Sequence, residues 1–103
     1  MSSAFMSALA KEIAEEKAQG LGRAERLMVA ALENYRWLAE TSAHSRDERD
    51  AVLWELAASL ASFIIQREAC GLTDTNRVLK LYGIPKEAVA RLGAKPRSTA
   101  AAC

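Results

Sequence analysis

Apolar side chains recur along residues 5–40 at steps of three, four and seven. Phe5, Leu9, Ile13, Gly20, Ala24, Leu27, Ala31, Tyr35 and Leu38 mark one stripe, the spacing of one face of an α-helix. The stripe keeps its phase across Gly20-Leu21-Gly22, where a loop would normally break it. The pattern therefore predicts one helix over 5–40; a break at 20–22 giving two helices is the competing reading. Two interior glycines cost about 2 kcal/mol relative to alanine. Close approach of another helix at Gly20 and Ala24 would account for them.

A short connection, Thr41 to Arg46, comes next. Ser45 has Glu48 three residues on, the spacing of a capping box, so a second helix is predicted from there to about Cys70. Leu53, Leu56, Ala57, Leu60, Phe63, Ile64 and Arg67 fall on one face of it. Trp54, Ala58, Ala61 and Ile65 fall on another. An apolar arc that wide predicts cover on more than one side.

Residues 66–93 read QREACGLTDTNRVLKLYGIPKEAVARLG. Gly71 and Gly83 stand where left-handed helix stops are wanted. Thr73 or Asp74 is placed to cap a short helix ending at Tyr82, and Pro85 to open a last few turns with Glu87 near their start. The fold class expected is all-α: a long helical hairpin with short C-terminal helices, paired into a dimeric bundle. One helical domain is expected over 1–93, followed by a disordered tail over 94–103.

The expected dimer rests on length. A helix of residues 5–40 would run about 54 Å, whereas a compact chain of this size is about 33 Å across. Either the short C-terminal helices fold back over Phe5, Leu9 and Ile13, or a second chain covers them.

Composition narrows the function classes. The chain has 103 residues and a formal charge of +1, which argues against wholesale binding to nucleic acid or membrane. The charge is uneven: residues 1–73 carry 8 basic and 11 acidic side chains, and residues 74–103 carry 6 and 2. A basic tail on a solvated helical surface is the plain reading, and an anion-docking patch the sharper one. The longest uncharged apolar run, Leu56 to Gln66, is 11 residues, well short of a bilayer span. No signal peptide is recognisable at the N-terminus. Cys70 and Cys103 cannot build a disulfide framework, and His44 has no partner at ligand spacing. Cys70 is expected as a small buried hydrophobe and Cys103 as a free thiol, both suited to a reducing cytoplasm. No metal or cofactor is expected.

Candidate chemistry gathers at the first C-terminal corner. Gln66, Arg67, Glu68, Asp74, Asn76 and Arg77 could form a small polar pocket with Arg67 as an anion clamp. They could equally form an arginine–carboxylate network that locks the corner, and this structural reading is the favoured one. Arg67 falls on the Leu60–Ile64 face, so its guanidinium needs a partner.

Residues 74–93 also fit a helix-turn-helix template, with 85–92 as the recognition helix and Lys86 and Arg91 as DNA contacts. Leu79 is large for the close helix crossing, and that helix carries no Asn, Gln or Ser for base edges. Tyr35 lies on the core stripe; Trp37 lies off it beside Ala30 and Asn34, which suggests interface or rim packing. Glu12, Glu15 and Glu16 with Lys11 and Lys17 read as a solvated face. No nucleophile–base pair or phosphate loop is present.

The segments EKAQGLGRAERLMVAAL and FIIQREACGLTDTNRVLKLYGIPKEAVARLG resemble those of a family of small bacterial proteins of unknown function, in which an EKA–LGRA stretch precedes QREACGL–YG-P-E. Ile84-Pro85-Lys86-Glu87 stands where that pattern has something like Val-Pro-Arg-Glu. The resemblance covers most of residues 12–93. It implies an all-helical fold and brings no activity, cofactor or catalytic residue.

The expectation is thus a non-enzymatic cytoplasmic interaction or scaffold protein acting through helix faces, with itself and an unidentified protein as partners. A DNA-binding regulator using 74–93 is one alternative. A small helical enzyme or sensor of an anionic metabolite, drawing on Arg23, Arg26, Arg36 and Arg67, is another.

Overall fold

In the computed structural model, which describes residues 3–41 and 43–94, four helices follow one another: α1 (Ser3–Glu40), α2 (Arg46–Ala69), α3 (Thr75–Tyr82) and α4 (Lys86–Ala90). The expected tail falls outside the described residues except for Ala94. α1 runs unbroken through Gly20 and Gly22, as the unbroken phase of its stripe predicts. Gly20 lies against α2: a Cβ there would stand 3.1 Å from Gln66 Oε1. α2 thus comes close at Gly20 through the flexible end of Gln66, not through its backbone.

The helix ends follow local chemistry. Ser45 Oγ accepts from the Glu48 amide at 3.1 Å and starts α2. Gly71 at φ 81° ends the turn after α2, with its amide bonded to Glu68 O and the Leu72 amide to Arg67 O. Gly83 at φ 64° ends α3 in the same way, its amide bonded to Lys80 O and the Ile84 amide to Leu79 O. These paired bonds satisfy carbonyls that a helix end would otherwise leave open. Pro85 sits one place earlier than expected, as the residue flanking α4 rather than its first.

α1 and α2 form an antiparallel hairpin whose core is Ala24, Met28, Leu32, Leu53, Leu56, Leu60 and Phe63, closed by Val78 of α3 and Ala88 of α4. Leu27, placed on the core stripe by sequence spacing, is 67% exposed. The stripe that packs is centred on Met28, and Leu27 lies a hundred degrees around the helix from it. On α2 the main face is buried as expected. The second face is only partly covered: Trp54 and Ala61 are half-buried, while Ala58 and Ile65 stay exposed. Cys70 is exposed rather than buried, because the hairpin ends at the turn that carries it. No helix is long and apolar enough to cross a membrane among the described residues.

α3 and α4 fold back over the middle of the hairpin. They do not reach the N-terminal part of α1, so residues 3–19 are exposed at every position. The molecule is 62 Å in its longest dimension, with a radius of gyration of 17.6 Å, against about 13 Å for a compact chain of this length.

Candidate functional site

The polar corner forms only in part. Arg67 on the last turn of α2 donates to Asp74 Oδ1, and its guanidinium carbon stands 5.8 Å from the centre of the Phe63 ring. The Arg67 side chain is mostly buried and Asp74 half-exposed. The Arg67 hydrogen bond is the main cause holding the Asp74 carboxyl below its ordinary pKa. Asp74 flanks the start of α3 without a side-chain capping bond, because its carboxylate is turned to Arg67.

The other four residues go elsewhere. Gln66 packs beside Gly20. Glu68 is exposed at the end of α2, and Asn76 and Arg77 are exposed on α3, where with Lys80 and Leu81 they line a shallow surface depression. The geometry is that of a corner lock, not of six groups converging on one point.

α3 and α4 are tied to the hairpin by pairs that local sequence spacing did not reveal. Tyr82 Oη donates to Glu25 Oε2 at 2.6 Å, and the Tyr82 ring meets Phe63 edge-on at 5.9 Å. Arg36 Nη2 donates to the Tyr82 carbonyl at 2.8 Å. Tyr35 Oη donates to Glu87 Oε2 at 3.1 Å, and Arg49 approaches the same oxygen at 3.3 Å. The Tyr82 phenol is raised above its ordinary pKa chiefly by its hydrogen bond to Glu25, and the Tyr35 phenol chiefly by burial and then by Glu87.

The helix-turn-helix reading loses much of its geometry. α4 has five residues, too short to present a reading face along a groove. Arg91 pairs with Asp50 at 3.4 Å and lies 5.2 Å from the Trp54 ring centre, so its charge is committed inside the fold. Lys86 is exposed. Two of the four arginines considered for an anionic ligand are also committed: Arg36 to the Tyr82 carbonyl and Arg67 to Asp74.

Two apolar surfaces on α1 stand out among the described residues. One is the N-terminal part of α1, where Met6, Leu9 and Ile13 are 40–51% exposed. The other is a groove of about 570 Å³ between α1 and α2, on Leu27, Ala30, Asn34, Glu55, Ala58 and Ser59. Trp37, the off-stripe aromatic, is 64% exposed one turn beyond that groove. Among the described residues no polar or charged residue is buried, and no group of three His, Cys, Asp or Glu side chains is placed to hold a metal.

The chain belongs to the Family of unknown function (DUF6665), which it matches over residues 2–100. No curated protein and no solved structure matches it.

Proposed function

We propose that this member of a family of unknown function is a non-enzymatic interaction protein that works through helix faces, and that its first partner is another copy of itself. One observation carries the reading. α1 projects past its own hairpin with Met6, Leu9 and Ile13 on one side, 40–51% exposed, and neither α2, α3 nor α4 is laid over them. A helix of this composition is marginal alone in water and is ordinarily held by a packed face.

The charged side chains support the same reading. Arg36, Arg49, Arg67 and Arg91 are each turned to a partner within the fold. A reducing, cytoplasmic setting belongs to the proposal as well, since Cys70 is a free, exposed thiol of the kind such compartments preserve.

Light scattering at micromolar concentration tests it. The expected mass is twice that of the chain, falling toward one chain in Leu9→Glu/Ile13→Glu with helical circular dichroism largely kept. A wild-type monomer whose melting temperature rises with an anionic metabolite would overturn the reading in favour of a ligand-binding protein. Salt-dependent retention on DNA would overturn it in favour of the regulator.

A further inference from the structure

We infer that two copies pair through α1 alone, antiparallel, with the N-terminal part of each α1 lying in the α1–α2 groove of the other. The inference rests on the self-association just proposed and adds its sense and register.

Met6, Leu9, Ile13, Leu27 and Trp37, exposed apolar positions of α1, fall on one seam. Met6, Leu9, Ile13 and Glu16 step by three and four. The same steps continue through Gly20 and Arg23 to Leu27, Ala30, Asn34 and Trp37. This is a heptad seam of the kind that packs knobs into holes. Five of the nine large apolar side chains that the described residues expose lie on it: Met6, Leu9, Ile13, Leu27 and Trp37.

The seam is self-complementary only when reversed. Set antiparallel about a two-fold axis between Gly20 and Arg23, Met6 meets the other copy's Trp37, Ile13 meets Ala30, and Glu16 meets Leu27. Met6 then faces the Trp37 beyond the groove, and Leu9 and Ile13 face the groove itself. There the small side chains Ala30, Ala58 and Ser59 line the wall and let a helix come close.

Charge selects the same sense. Glu12, Glu15 and Glu16 precede the axis, and Arg23 and Arg26 follow it. Glu16 and Arg23 are exposed and make no ion pair among the described residues. Antiparallel pairing brings the Glu16 of one copy within a helical turn of the other's Arg23, whereas parallel pairing stacks glutamate on glutamate.

Site-directed cross-linking in a Cys70→Ser/Cys103→Ser background separates the outcomes. Ile13→Cys with Ala30→Cys should oxidise to a disulfide-linked dimer, and Ile13→Cys alone should not. Glu16→Arg and Arg23→Glu should each weaken the dimer about tenfold, and the two together should restore it, since residues seven apart on one helix do not pair with each other. A cross-link from Ile13→Cys alone would show parallel pairing and overturn the inference. So would a wild type that dimerises while Ile13→Cys/Ala30→Cys forms no cross-link, or a dimer indifferent to both charge reversals. Each of those leaves self-association standing. A wild-type monomer overturns both.

Discussion

Residues 3–19 of α1 are exposed at every position, whereas from Gly20 to Ala39 each turn has at least one buried or half-buried side chain. The exposed half is the better helix former by composition, with five alanines and no glycine. The covered half carries Gly20, Gly22, Asn34, Tyr35 and Trp37, each less favourable in a helix interior. Propensity and burial thus run opposite ways along one helix. The covered half is held by Met28, Leu32 and their neighbours in the core and by its ties to α3. The exposed half meets α2 only near its end, where Cys70 Sγ approaches Lys17 O at 4.0 Å, and its local propensity is high. Coverage, rather than helicity, is the difference that bears on function.

The sharpest way to test that contrast is to truncate one apolar side chain in each half. Met28 is wholly buried, so Met28→Ala should destabilise the chain by about 2–5 kcal/mol, from lost transfer energy and the cavity left behind. Leu9→Ala should stay within about 0.5 kcal/mol at high dilution and cost more as protein concentration rises. Urea midpoints at two concentrations a hundredfold apart check both. A concentration-independent loss for Leu9→Ala comparable to that of Met28→Ala would show that the first half of α1 is covered within its own chain.

Much of the fold is legible in the sequence because it is written locally. Ser45 with Glu48, Gly71 and Gly83 fix helix ends through bonds to residues a few places away. The unbroken phase across Gly20-Leu21-Gly22 fixes the continuity of α1. Arg67 was legible as needing a partner because it stands on the apolar face of α2. Asp74 was one of several candidates, and the corner turn chose it.

What was not legible depends on the path α3 and α4 take back across the hairpin. Tyr82 with Glu25, Tyr35 with Glu87, and Arg91 with Asp50 are 57, 52 and 41 residues apart, and no spacing rule reaches so far. The core stripe was misplaced at Leu27 for a related reason. Steps of three and four fit two neighbouring faces of α1, and only the position of α2 decides which is buried.

Glycine substitutions sharpen the contrast at a smaller scale. Gly83→Ala should cost about 1–2 kcal/mol, since the position is left-handed. A Cβ there would also stand 3.1 Å from Arg36 Nη2, disturbing the bond from that arginine to Tyr82. Gly22→Ala should instead stabilise by up to about 1 kcal/mol, because the new methyl meets only the mobile end of Arg26 at 3.3 Å. Thermal melts of the two variants should move in opposite directions. A loss for Gly22→Ala would mean that a neighbour as yet unplaced needs that glycine bare.

The smallest expected effect concerns alkaline pH and belongs to the covered half alone, since both tyrosines act there and none lies in residues 3–19. Tyr35 and Tyr82 hold their protons above the ordinary phenol pKa, through burial and through hydrogen bonds to Glu87 and Glu25. A group whose folded pKa is raised gives its full stabilisation below the unfolded value, near pH 10, and loses it as pH rises through the folded value. The wild type should therefore lose stability as pH rises above about 10 more steeply than Tyr35→Phe/Tyr82→Phe, whose slope reports the lysines and the rest of the chain. Deprotonation would place each phenolate against a carboxylate, Tyr82 against Glu25 and Tyr35 against Glu87. α3 and α4 should then lift from the hairpin before α1 unwinds. Amide exchange across that range should rise first at α3 and α4. Equal alkaline slopes in the wild type and the double variant would show that neither phenol is held by its carboxylate in solution, and that α3 is tied to the hairpin by Arg36 of α1 and by the Phe63 contact of α2 instead.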